Sequence, residues 1–439
     1  MKKSLFAAAA LTAMAGAAQA QSSVTVYGLL DMGYIGSNAR EGADNKKTQK
    51  SAFGASAEQT SRLGFKGTED LGGGTSAFFT VELGLQPQNG NLSGSADKDA
   101  YQNTTQGGGA AIDNRQSFLG LKKNGVGQFA FGRQYTPVFN AGAVTDPGQY
   151  NNVVGNVIYA SGSVYQSSDT TTIGTNNNTG FTNRASNALT VKSDTFAGFS
   201  GAAMYALNNT NQSQTAAGNT TSGGGNSNWN GWGLSADFTW QKLYLTAAYQ
   251  SFKTQYTNGI YANGGTIANL AGVGATAGQQ TGNASLLFAP TLTSDKQTYA
   301  GATYDFGILK AYAQWVGRKI QNDTSSAAYI GGAAVGTTVV SGQQLNRTAQ
   351  QIGVRSYITP TIEAWGSVGT GKVTGPVAAA GLPASSNFLA WQLGSNYYLS
   401  KRTNLYAIYG QSQTTSGTVG TAGSGTSANQ YAIGMRHTF

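Results

Sequence analysis

Apolar and polar residues alternate with a period of two in short stretches along most of the chain. Leu243, Leu245, Ala247 and Tyr249 interleave with Tyr244, Thr246, Ala248 and Gln250. Leu309, Ala311, Ala313 and Trp315 interleave with Lys310, Tyr312, Gln314 and Arg318, which lie one step out of phase with them. Successive side chains of a strand point to opposite faces. Each stretch therefore predicts a β-strand with one apolar or aromatic face and one polar face carrying isolated Lys and Arg. Sixteen such segments are predicted, at 23–34, 55–67, 75–85, 114–122, 127–135, 184–193, 199–208, 231–240, 243–254, 296–306, 309–320, 347–358, 361–372, 388–398, 403–411 and 429–439.

The connections alternate in length. Tight ones carry turn residues, as in Lys123-Asn124-Gly125-Val126, Gln241-Lys242 and Thr359-Pro360. Long ones rich in Gly, Asn, Ser and Thr fill 209–229, 255–294 and 321–346. An even strand count with short turns on one side and long loops on the other fits an outer-membrane barrel. Aromatics near segment ends (Tyr27, Tyr34, Trp232, Trp240, Tyr397, Tyr398, Phe439) suit interfacial girdles.

Composition narrows the class. Charged residues are 10 % of the 439, against about 25 % in a soluble domain. A mean hydropathy of −0.26 is too polar for a helical membrane protein. With 22 Tyr, 18 Phe and 6 Trp the chain is too aromatic to be disordered. No run approaches the ~18 apolar residues of a spanning helix, so a membrane-spanning form requires a closed barrel. There is no Cys, hence no disulfide or thiol chemistry.

Residues 1–20 read as a signal peptide: Lys2 and Lys3, an apolar stretch from Leu5 to Ala17, and the Ala18-Gln19-Ala20 cleavage site. The expected mature chain is one barrel domain, 21–439. Losing Lys2 and Lys3 lowers the net charge from +9 to +7.

Six motifs in order carry a family resemblance. They are Ser22-Ser23-Val24-Thr25-Val26-Tyr27-Gly28; Ser61-Arg62-Leu63-Gly64-Phe65-Lys66-Gly67 with Glu69-Asp70-Leu71-Gly72; Asn114-Arg115-Gln116-Ser117-Phe118; Gly132-Arg133-Gln134-Tyr135; Tyr398-Leu399-Ser400-Lys401-Arg402-Thr403; and Gly434-Met435-Arg436-His437-Thr438-Phe439. They span the mature chain, which resembles the trimeric general porins of Gram-negative outer membranes. The resemblance implies an all-β fold: a 16-stranded antiparallel transmembrane β-barrel with long external loops and an inward-folded third loop, here 136–183, with room for a short helix. It also implies a homotrimer embedded in outer-membrane lipid, and Phe439 as the signal read by periplasmic chaperones and the barrel-assembly machinery.

By the same resemblance, the constriction sets a basic wall against acids on the inward loop. The wall arginines map onto Arg62, Arg115 and Arg184. Lys66 shares the parity of Arg62, so alternation sends both to the lumen. Arg115 is in phase with Ser117, though Leu119 shares that face. Arg133 counts outward with Phe129 and Phe131, and only a bulge at the strand end re-aims it. The loop carries two acids, Asp146 and Asp169, and no Lys or Arg; Asp146, before Pro147-Gly148, also reads as a turn residue. The local sum is positive, which suits a pore for anions. The expected function is a water-filled channel for passive diffusion of ions and small hydrophilic solutes, with anions preferred. The alternative is a substrate-specific channel for a sugar or organic anion.

Other classes lack their residues. His437 is the one histidine, there is no Gly-x-Ser-x-Gly motif, and no His/Cys cluster suits a metal, so no enzyme and no cofactor are expected. The densest basic cluster, Lys46-Lys47-Thr48-Gln49-Lys50, reads as a solvated external loop, with no nucleic-acid partner.

Overall fold

In the computed structural model the described residues are 23–40, 47–88, 92, 113–159, 184–212, 225–256, 291–322, 329–330, 333–334, 344–377, 383–414 and 425–439. The expected signal peptide at 1–20 and Asp169 lie outside them. The strands are β1 (Ser23–Arg40), β2 (Lys47–Ala55), β3 (Arg62–Gly72), β4 (Thr75–Gly84), β5 (Asn114–Lys123), β6 (Gly127–Tyr135), β7 (Arg184–Ser193), β8 (Phe199–Gln212), β9 (Gly225–Trp240), β10 (Leu243–Tyr256), β11 (Thr291–Asp305), β12 (Lys310–Asn322), a two-residue pair β13 (Tyr329–Ile330) and β14 (Ala333–Ala334), β15 (Gln344–Thr359), β16 (Ile362–Val377), β17 (Pro383–Tyr398), β18 (Thr403–Thr414) and β19 (Ser427–Thr438). Helix α1 (Pro137–Thr145) follows β6.

Each barrel strand pairs antiparallel with the next. The sheet closes where β1 pairs with β19, from Leu29 opposite Thr438 to Arg40 opposite Ser427. Closure removes the free edge that an open sheet would expose. On its other side β1 is shared: Ser23–Leu29 face β3 and Met32–Arg40 face β2. β2 and β3 thus fill one position, and the barrel has the sixteen expected.

That shared position departs from the sequence reading. The strand expected at 55–67 is broken over 56–61, and the residues from Lys47, expected in a loop, form β2. Asp31 on β1 causes the break. Its carboxylate accepts from the backbone N–H groups of Glu58 (2.8 Å) and Gln59 (2.7 Å) and from the Tyr406 hydroxyl (2.6 Å). These bonds pull 58–59 out of the ladder, and Ser56 turns the chain with a φ of 67°.

The barrel is polar inside and apolar outside, the reverse of a soluble fold. Gln250, Gln297, Gln351 and Gln392 are almost wholly buried, whereas Phe131, Leu234, Ile352, Leu393 and Ile433 are each more than half exposed. Tyr34, Trp232, Trp240, Tyr397 and Phe439 are on the exposed side, as girdle residues require. Tyr27 and Tyr398 are not: their hydroxyls donate to Glu82 (3.2 Å) and Glu363 (2.9 Å) on the inner wall.

Candidate pore constriction

The chain turns into the lumen directly after β6. Thr136 caps α1, its Oγ1 accepting from the Phe139 N–H at 3.3 Å, and Pro137 begins the helix with its φ already suitable. The helix ends where Asp146, held extended before Pro147, cannot continue it. α1 lies against the inner faces of β8 to β12. The segment beyond it crosses the wall as far as the break between β2 and β3.

Lumen side chains satisfy the backbone of this inserted segment, which has no sheet partner of its own. Arg355 donates to the Pro147 carbonyl (2.6 Å) and Gln392 to those of Val153 (2.5 Å) and Val154 (3.0 Å). The Val154 N–H donates to Gln430 (2.9 Å), and Thr145 and Tyr299 share a hydroxyl contact of 2.5 Å. At the far end Asn152 donates through its N–H to the Ala57 carbonyl (2.9 Å) and through its side chain to that of Ser56 (2.7 Å). The break in the second strand position is the dock for the loop. Each such bond contributes about 1 kcal/mol. Together they account for glutamines buried in a barrel wall.

Asp146 sits inside this network. Its carboxylate accepts from the Tyr150 N–H (2.7 Å), Asn156 Nδ2 (2.9 Å) and Gln351 Nε2 (2.9 Å). Burial pushes its pKa up to about 6, against those hydrogen bonds and the nearby Arg355. Burial also pushes the neighbouring Tyr150 hydroxyl well above its ordinary value. Asp146 knots the loop; it does not present a carboxylate to the channel.

Across the lumen, β3 to β7 carry the basic side chains. Arg115 donates to Glu82 at 2.7 Å and to the Tyr135 hydroxyl at 2.7 Å. Arg62 reaches the same Glu82 at 3.9 Å. The Arg184 guanidinium lies over the Tyr135 ring at 5.9 Å, its Nη1 buried with no hydrogen-bond partner among the described residues. Among those residues no carboxylate is within ion-pair distance of Arg184. Arg133 is buried, donating to the Asn114 carbonyl (2.8 Å) and the Ser186 hydroxyl (2.6 Å).

Two irregularities aim these groups. Strict alternation puts Arg115 with the exposed Leu119 and Leu121, on the outer face. A register step, with Glu82 opposite Gln116 but Leu83 opposite Asn114, leaves Arg115 unpaired in the ladder and turns it inward. A second step, between Gly132 and Gln134 in the β6–β7 pairing, lies at Arg133. Lys66 needs no bulge. It shares a face with Arg62, opposite Thr25 and Thr80, but lies four residues along β3 from it, about 13 Å away. There its Nζ lies over the Tyr27 ring at 5.3 Å, apart from the arginines.

The loop-side wall holds cations of a different kind. Arg318 pairs with Asp295 at 2.6 Å and Arg355 with Glu363 at 2.5 Å. Arg347 donates to the Val157 carbonyl and lies over the Phe388 ring at 4.8 Å. Those charges are engaged by their partners and by the loop. The sequence reading missed Glu82, Tyr135 and Asp31. Glu82 was within reach, since alternation from Thr80 puts a carboxylate on the inner face beside Arg62.

A family model described as Gram-negative porin matches residues 7–418. The chain belongs to that family. The porin is 40 % identical over 144 residues to an outer membrane porin protein of Bordetella pertussis, covering 30 % of this chain and 34 % of that one. It is 47 % identical over 94 residues to outer membrane porin protein 32 of Delftia acidovorans, covering 21 % and 25 %. It is 32 % identical over 208 residues to the major outer membrane protein P.IB of Neisseria gonorrhoeae, covering 47 % and 48 %. These matches span about half or less of each relative. Among solved structures, the porin fold matches an anion-selective porin from Comamonas acidovorans with a TM-score of 0.61 at 20 % identity, covering 95 % of this chain and all of that one. The trimer form of OmpT from Vibrio cholerae matches with a TM-score of 0.54 at 14 % identity, covering 95 % and 99 %. The porin is an outer-membrane β-barrel.

Proposed function

We propose that this porin forms a water-filled channel for passive diffusion of ions and small hydrophilic solutes, with a preference for anions, as a homotrimer in outer-membrane lipid. One observation carries the preference: Arg62 and Arg115 share one carboxylate, Glu82, and Arg184 has none within ion-pair distance among the described residues, while Asp146 is buried in the loop opposite. A narrow, low-dielectric passage with uncompensated guanidiniums on one wall attracts anions and repels cations. The Comamonas acidovorans neighbour is itself an anion-selective porin, which supports the same reading.

The trimer rests on the family and on the trimer form of the OmpT neighbour. Phe439 is the proposed recognition signal for periplasmic chaperones and the assembly machinery. No enzymatic role is assigned. His437 Nδ1 sits 2.8 Å from the Thr403 hydroxyl in a strand-end contact that suits a structural part. Reversal potentials of the refolded chain across a KCl gradient test the proposal; cation preference would overturn it.

A further inference from the structure

The inner wall carries a second basic cluster nearer the short-turn end. Antiparallel partners lie side by side on one face. Lys66 faces Thr25 on one side and Thr80 on the other. Lys122 faces Ser76 and Gln128, and Gln128 faces Lys192. Three lysines therefore share the inner face below the arginines. Lys66 and Lys122 open onto one cavity of about 520 Å³, edged by the hydroxyls of Ser23, Thr25, Ser76 and Thr80.

No carboxylate among the described residues lines this cavity. Two inward acids flank it and both are engaged: Asp70, opposite Ser76, whose Oδ1 accepts the Gly72 N–H of the turn at 2.9 Å, and Glu82, one inward position beyond Thr80, which pairs with Arg115 at 2.7 Å. Lys66 lies against the face of Tyr27 rather than against a counter-charge. Two ammonium groups among several hydroxyl donors, with no anion of the protein's own, match an oxyanion of more than one charge. Lysine suits this as a point-charge donor that follows the ligand.

We propose that this cavity is a second anion station, binding a small multivalent oxyanion of the phosphate type after it passes the arginine wall. The inference rests on the anion-channel reading. An anion leaving the guanidiniums meets a further attractive site on the same side of the barrel. Phosphate held there obstructs the path of chloride.

The test is single-channel chloride current with inorganic phosphate added on the short-turn side. For the unaltered chain the current should fall saturably with phosphate. In the Lys66→Gln/Lys122→Gln double variant the half-blocking concentration should rise about tenfold, equivalent to ~1.4 kcal/mol of binding. Lys122→Gln alone should give part of that shift. The reversal potential in KCl, recorded on the same channels, should still report anion preference, because the arginines remain. No block of the unaltered chain, or equal block of chain and variants, overturns the station and leaves the channel reading standing. Cation preference overturns both.

Discussion

Arg115 donates to Glu82 at 2.7 Å although strict alternation would put Arg115 on the lipid side of β5. The register step between β4 and β5 resolves this by inserting Arg115 as an extra residue. The pair couples barrel geometry to channel electrostatics. Glu82→Gln should strengthen anion preference, because Arg62 and Arg115 lose their shared carboxylate. It should also lower stability by about 3 kcal/mol, since it leaves a buried guanidinium without its counter-charge. Reversal potential and thermal unfolding in detergent check the two effects separately.

Asp146 makes the loop sensitive to pH. Its folded pKa is raised to about 6, above the value near 3.9 of an unfolded chain. The folded state therefore binds the extra proton between those values, and stability falls as pH rises from about 4 to about 6. Acidification through pH 6 should hold the loop more firmly and quieten open-channel current noise. In Asp146→Asn that pH dependence should vanish, with higher noise throughout, since an amide NH2 facing the Tyr150 N–H forfeits one of three hydrogen bonds.

Gln392 tests the loop dock from the wall. It donates to the Val153 and Val154 carbonyls and exchanges hydrogen bonds with Asn151. Gln392→Ala removes this donor from the buried Val153 and Val154 carbonyls, at about 1–3 kcal/mol each if water does not reach them, while Asn151 keeps its bonds to Gly148 and Val153. Single-channel conductance should rise and fluctuate while the barrel itself stays folded.

Gly28 stands where β1 meets the chain's last residue, exchanging backbone hydrogen bonds of 3.1 Å with Phe439 in both directions. A Cβ at position 28 would lie 2.6 Å from the Phe439 ring and 2.5 Å from the Arg62 carbonyl oxygen. Gly28→Val should impair closure and reduce the yield of heat-modifiable barrel on refolding. Gly72→Ala, at a turn with a φ of 84° and open space around it, should cost only about 1 kcal/mol.

Strand count and facing were legible because a two-sided wall writes its period directly into the sequence. Leu243 to Gln250 needed only that period. Long-range polar chemistry was not legible. The break at 56–61 depends on Asp31, some thirty residues away, and on Tyr406 from the far end of the chain. Arg115 and Arg133 lie at register steps, which a period-two count reads as outward-facing. Asp146 shows the converse. Its place before Pro147-Gly148 signalled a turn, but its burial depends on Gln351, more than two hundred residues on.

The most direct measurement is the reversal potential of the refolded chain in a tenfold KCl gradient, beside Arg62→Ala, Arg115→Ala and Arg184→Ala. The expected result is a chloride-preferring potential that each substitution moves toward zero. A potassium-preferring potential, or one unmoved by all three, would contradict the arginine wall as the seat of selectivity.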